Sequence, residues 1–209
     1  MRDSMTVFEK TYGWYLKQLA ACDFLGRAER LGARVGDEAL VFSFLNDPIA
    51  ISRAGVIGPG GQAPGFSECI VLMNYILRCP ETLPATGDWV TYREVKGSGP
   101  LAVYFSENAV KPLQDRFAGN VAALEAACSA LGGRKEPGTG GYDFSATFFP
   151  LPRVPLNLRF NDADEEFPAS CTLLFTSDVS AWLDPESLAI LAVLFAQKIA
   201  TGDPSAVRP

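Results

Sequence analysis

The uninterrupted apolar run from Leu188 to Ala196 constrains this chain more than any other feature. Asp184 can cap a helix there, Pro185 suits its first position and Glu186 its first turn. The helix is expected to continue to about Thr201 and, being apolar on most faces, has to be central. The apolar run is about half of the roughly 20 residues that span a bilayer, so it reads as core and not as a membrane segment. A second apolar stretch runs from Ile70 to Leu77, interrupted at Asn74, after Ser67 as a potential cap. Cys79-Pro80 ends it, because the residue before a proline avoids the helical region. Two buried helices need other elements to cover them.

The cover is legible around them. Thr6 with Glu9 three residues on is a capping-box pattern. Phe8, Tyr12, Tyr15, Leu16 and Leu19 follow as one helical stripe, weakened slightly by Gly13. A short helix over Ala21 to Leu31 stops near Gly32. Glu38 to Leu45 alternates as a strand, Asn46-Asp47-Pro48 reads as a turn, and Ile49 to Ile51 begins the return. Ile57 to Gly65 is a loop, and Asp88 to Val95 a strand. Leu101 to Phe105 fits a strand or the start of a helix, and Asn108 to Gly119 and Asn120 to Leu131 read as helices. After the loop Gly132 to Gly141 come three strands expected to be antiparallel: Tyr142 to Phe149, Leu156 to Phe160 and Ala169 to Phe175. Strands in runs and helices in runs give α+β, a mostly antiparallel sheet with apolar helices packed on one face. No repeat or long linker divides the chain, so residues 1–209 are expected to form one domain with a loose tail after about residue 202.

Composition removes several functions. The chain has no histidine, which excludes Ser-His-Asp and Cys-His catalysis and histidine-containing zinc or haem sites. A metal site would be carboxylate-rich and suit Mg, Ca or Mn. The five cysteines lie too far apart in sequence for a Cys-x-x-Cys motif and read as small buried hydrophobes. A net charge of −6, with no run of Lys and Arg, argues against nucleic acid and anionic membranes as partners. The first residues lack the apolar core of a signal peptide, so the expected location is the cytoplasm.

Three features could carry chemistry. Asp162, Asp164, Glu165 and Glu166 form the densest charge cluster, in a turn between strands. Such carboxylates repel, and a hard cation would relieve this, although the spacing is not that of an EF-hand. A solvated turn, or pairing with Arg153 or Arg159, accounts for the same residues. Trp89, Tyr92, Arg93 and Glu94 gather aromatic and charged groups at a strand end, and Arg153 lies between Pro152 and Pro155. Proline fixes φ, so Arg153 would be held rigidly, as suits bidentate capture of a carboxylate or phosphate. The glycine-bearing loops Gly58 to Gly61, Gly97 to Gly99 and Gly138 to Gly141 lack the lysine and the strand–helix context of phosphate loops.

In order and spacing, several segments together resemble a known family. They are Leu72 to Leu77, Gly87 to Glu94, Leu151 to Leu156, Asp162 to Pro168, and Leu173 to Phe175 followed by Leu183 and Glu186. The chain, from about Glu68 to Ile199, resembles domain of unknown function 3786, a family mainly of anaerobic bacteria and archaea. The resemblance implies no established activity and singles out Arg93, Glu94, Arg153, Asp164, Glu165 and Glu166. Some members look like fusions to a four-cysteine iron–sulfur segment of the kind near corrinoid proteins, which this chain lacks. The first expectation is a binding or accessory domain for a small molecule, a corrinoid- or tetrapyrrole-like organic cofactor, or a protein partner in anaerobic metabolism. The alternatives are a metal-dependent enzyme using Asp162 to Glu166, and a structural or oligomerising protein.

Overall fold

In the computed structural model, which describes residues 7–137 and 140–202, the protein is α+β, with two antiparallel sheets and a helical centre. The Thr6 side of the expected capping box, Gly138-Thr139 and the tail after Gly202 lie outside the described residues. The helices are α1 (Val7–Ala20), α2 (Ala28–Leu31), α3 (Phe66–Leu77), α4 (Ala102–Phe105), α5 (Lys111–Phe117), α6 (Val121–Ala130) and α7 (Pro185–Thr201). The first sheet is a meander of β1 (Arg34–Gly36), β2 (Ala39–Phe44), β3 (Asp47–Ser52) and β4 (Gly55–Ile57). The second has the order β5-β9-β8-β7-β6, from β5 (Trp89–Thr91), β6 (Arg134–Lys135), β7 (Phe144–Leu151), β8 (Val154–Asn161) and β9 (Ser170–Thr176).

The expected central helices are central. Asp184 Oδ1 accepts the Ser187 N–H at 2.8 Å to open α7, and Gly202 closes it in the left-handed region at φ 60°. α7 packs against α3, α5 and α6, and Phe195 meets Phe148 of β7 edge-on at 4.8 Å. α3 touches the other sheet through Tyr75 and Phe42, whose ring centroids are 5.8 Å apart. One continuous apolar cluster therefore joins both sheets through α3 and α7. The Leu45 N–H also donates to the Pro150 carbonyl at 2.8 Å, tying the β2–β3 turn to the end of β7.

Three local expectations need correction. The first hairpin turn is Leu45-Asn46, at φ 49° and 70°, and Asp47 and Pro48 already belong to β3. Two consecutive residues with positive φ match the twist of an antiparallel hairpin, which outweighs the turn preference of Asp-Pro. The strand expected over Asp88 to Val95 stops at Thr91, because Glu94 Oε2 accepts from both the Thr91 N–H (2.7 Å) and its hydroxyl (2.8 Å). That box starts a 3-10 turn over Tyr92–Glu94. The α3 N-cap is Gly65, whose N–H donates to Glu68, and not Ser67. Of the two readings of Leu101 to Phe105, the helical one holds: a continuous helical run extends from Gly99 to Phe117 and contains a π segment, Ser106–Val110. Lys111 N–H reaches back to Ser106 O, and the missing N–H of Pro112 next to it forbids the ordinary α bond there.

The ends of α2 and α3 hold each other. Arg27 Nη1 donates to the Ile76 and Leu77 carbonyls at 2.9 and 3.0 Å, closing α3. Tyr75 on α3 returns its hydroxyl to the Leu31 carbonyl at 2.7 Å, at the end of α2. Gly32 follows at φ 67°, and a Cβ there would lie 2.8 Å from Pro152 Cβ, so both backbone and space require glycine.

Candidate functional site

Side chains alternate across a strand, so the second sheet has two distinct faces. Phe144, Ala146 and Phe148 of β7, Leu156, Leu158 and Phe160 of β8, and Cys171, Leu173 and Phe175 of β9 form the core face. The opposite face carries Ser145 and Thr147, Asn157 and Arg159, and Trp89. An antiparallel sheet packed on one side ordinarily gives its other side to water. Here Ser145 and Asn157 on that side are each only 3% exposed.

These polar groups are joined into a platform. Asn157 Nδ2 donates to Thr147 Oγ1 at 3.0 Å, Ser145 Oγ at 3.3 Å and the Ala146 carbonyl at 3.4 Å. With its amide held on that side, Asn157 presents Oδ1 to Arg159, whose Nε donates to it at 3.0 Å. The Arg159 guanidinium also lies over the Tyr142 ring, 5.3 Å from its centroid. It is thus fixed at Nε and on one face, while its two Nη groups have no partner among the described residues. Above this floor is a cleft of about 320 Å³, lined by Trp89, Glu136, Tyr142, Ser145, Asn157 and Arg159 among others. Opposite Trp89 in register, Thr176 buries a hydroxyl with no hydrogen-bond partner. Buried polar groups are nearly always satisfied, so this one calls for a water or a ligand atom.

Such an arrangement can recognise an oxyanion. The outer Nη edge of a guanidinium matches the geometry of a carboxylate or a phosphate oxygen pair. Holding Nε and the ring face beforehand reduces the ordering cost of binding. Trp89, 38% exposed, and Tyr142 offer aromatic surface to the organic part.

Two other clefts flank the Leu45-Asn46 turn. One of about 310 Å³ has a mixed wall, with Leu45, Phe148, Phe195, Ser43 and Asn46 in it, and the Arg134 that lines it lies over Phe149. The other, about 160 Å³, borders the buried ion pair of Lys198 with Asp47. In that pair the charges satisfy each other, whereas Arg159 presents a charge to the cleft.

The residues expected from sequence do not converge. Trp89 alone of them lines the Arg159 cleft. Tyr92 turns into the core, stacks on Phe105 at 4.3 Å and donates to the Pro185 carbonyl at 2.7 Å. Arg93 is exposed on the 3-10 turn, and Glu94 is occupied by Thr91, whose N–H and hydroxyl hold its carboxyl below the usual range. Arg153 is rigid, as its prolines suggest, but it is directed at backbone: Nε donates to Arg30 O at 2.9 Å and Nη2 to Glu29 O at 3.0 Å.

The acidic turn has a structural explanation. Asp162 Oδ1 accepts the Gly119 N–H at 2.6 Å and the Ala163 N–H at 2.8 Å. Asp164 Oδ1 accepts from Phe167 N at 2.7 Å and Glu166 N at 2.8 Å, and these bonds hold its carboxyl below the usual range. Glu165 and Glu166 are exposed. Among the described residues, no group of three or more His, Cys, Asp or Glu side chains is arranged to hold a metal ion.

The sequence reading missed Asn157, Ser145, Glu136 and Tyr142, and treated Arg159 only as an ion-pair partner. One signal was available: Leu156 to Phe160 alternates strictly, and asparagine is depleted in strands unless something holds its amide.

No curated protein and no solved structure matches the chain. The profile of one family does match, over residues 23–198, a span that contains both sheets, the α3–α7 centre and the Arg159 cleft. The chain therefore belongs to the family described as domain of unknown function (DUF3786).

Proposed function

We propose that this domain binds a small organic anion, with the carboxylate or phosphate on Arg159 and the organic part against Trp89 and Tyr142. The observation that carries the reading is the clamped guanidinium with its Nη edge unpartnered over a buried polar floor. The volume of about 320 Å³ is at the lower end of the roughly 300–1,000 Å³ typical of small-molecule sites. It suits a ligand of one or two rings. A corrinoid or tetrapyrrole macrocycle exceeds it, and only an acidic side arm of such a cofactor would fit. The shared apolar core supports treating the chain as one domain, and five unpaired cysteines support a reducing, cytoplasmic setting. Among the described residues no helix is long and apolar enough to cross a membrane. Work in anaerobic metabolism is the setting that the family resemblance suggests.

The test is an NMR titration with 3-phenylpropionate and with phenyl phosphate. Amide shifts centred on Tyr142, Asn157, Arg159 and Trp89, abolished by Arg159→Gln at unchanged melting temperature, are expected. Shifts confined to other parts of the protein, or binding that survives Arg159→Gln, would overturn the proposal.

A further inference from the structure

The charge facing Arg159 across its cleft narrows the ligand class. We infer that the cleft takes a zwitterion, an amine-bearing organic acid whose ammonium is received by Glu136; this rests on the Arg159 cleft being a ligand site. Glu136 continues the β6–β7 pairing beyond Lys135↔Ala146, and its N–H donates to Ser145 O at 3.0 Å. It is therefore opposite Ser145, which is opposite Arg159 on β8. Glu136 and Arg159 thus stand two strand spacings apart, about 10 Å between backbones, and both line the cleft.

Opposite charges facing one cleft would ordinarily close on each other. Here β7 lies between them, and no ion pair joins them. The adjacent cations are engaged elsewhere: Lys135 pairs with Glu125 at 2.7 Å, and Arg134 lies over Phe149. The Glu136 side chain itself has no partner among the described residues. An anion on Arg159 that lacked a cationic group would sit near this carboxylate and be repelled. A ligand carrying an ammonium beside its acid group would be attracted to both walls. Specificity of this kind comes from the unfavourable pairing as much as from the favourable one. The aromatic walls, Trp89 and Tyr142, then select for an apolar or aromatic remainder.

Phenylalanine and 3-phenylpropionate form the test pair, identical in ring and carboxylate and differing in the ammonium. Calorimetry is run on the full chain, on Glu136→Gln and on Arg159→Gln. Phenylalanine is expected to bind at least about tenfold more tightly than 3-phenylpropionate to the native protein, a preference of about 1.4 kcal/mol. Glu136→Gln is expected to cut that preference to within about threefold while 3-phenylpropionate binds as well or better. Arg159→Gln is expected to weaken both. Equal binding of the two probes, or a preference that survives Glu136→Gln, overturns the zwitterion inference. If 3-phenylpropionate still binds in an Arg159-dependent way, the cleft reading stands alone. If neither probe binds at millimolar concentration, or Arg159→Gln changes nothing, both fall.

Discussion

Replacing Arg153 with alanine removes two charged hydrogen bonds from the end of α2, to Arg30 O at 2.9 Å and to Glu29 O at 3.0 Å. Hydrogen bonds from ionised donors contribute about 1.5–3 kcal/mol each when well shielded, and less in water. The bond to Arg30 is half-buried and the bond to Glu29 exposed, so a total of about 2–3 kcal/mol is expected. For a domain of this size, about 2–4 °C is lost per kcal/mol, which gives a fall in Tm of about 4–12 °C. Arg153→Lys keeps the charge but lacks the planar fork, and should recover no more than about half of it. Tyr75→Phe removes the remaining cap, from a fully buried hydroxyl to Leu31 O, and should cost about 1–2 kcal/mol. The double variant should lose less than the sum, because fraying of α2 after the first change already forfeits part of the second contact. Thermal unfolding by circular dichroism measures each value. Binding of 3-phenylpropionate should be unchanged in Arg153→Ala. A Tm shift under about 1 °C, or lost binding without lost stability, would refute the capping assignment and return Arg153 to a ligand role.

Two further outcomes follow from the same structure. Lys198→Met keeps the buried stem of Lys198 but strands Asp47; that carboxylate is 29% exposed, so the cost should be about 2–3 kcal/mol, below the range for fully buried pairs. Urea unfolding should show Lys198→Met/Asp47→Asn recovering part of that loss, and a double variant no better than the single would show that the pair does not act as one. Asp164 should titrate below its ordinary value of 3.8, since the Phe167 and Glu166 N–H groups favour the charged form. Its stabilisation of the 162–168 turn is therefore complete above that pH and fades as pH falls through the lowered value. A carboxyl-carbon NMR titration with a midpoint at or above 3.8 would contradict the turn geometry.

The architecture was legible where burial dictates sequence. α7 and α3 announce themselves because a helix apolar all round has one stable location, and β7, β8 and β9 because their core faces alternate cleanly. Errors fell where one hydrogen bond outranked a propensity. Glu94 bends the chain at Thr91 although Asp88 to Val95 has the composition of a strand. Leu45, an unfavourable residue at positive φ, takes the turn because the hairpin twist and its bond to Pro150 require it. The division of the strands into two sheets also follows from long-range packing, with α3 against β2 and α7 against β7, and no local pattern encodes that.

The candidate site was hidden for a related reason. Sequence reasoning ranks charges by local density, which favoured Asp162 to Glu166 and the proline-framed Arg153. Dense charge is cheapest to keep in water or on backbone N–H groups, and a rigid arginine beside a helix end is drawn to its free carbonyls. Arg159 looks ordinary in sequence because only Asn157, two residues back, prepares it locally, and Asn157 is itself held by Ser145 and Thr147 on β7 while Tyr142 comes from before β7. Strand pairing, which brings Ser145 opposite Arg159 and Thr147 opposite Asn157, assembles that platform. Arg159 is thus offered to a ligand by supporting contacts spread over the sheet, whereas Glu94, Arg153, Asp162 and Asp164, conspicuous in sequence, are already engaged by hydrogen bonds.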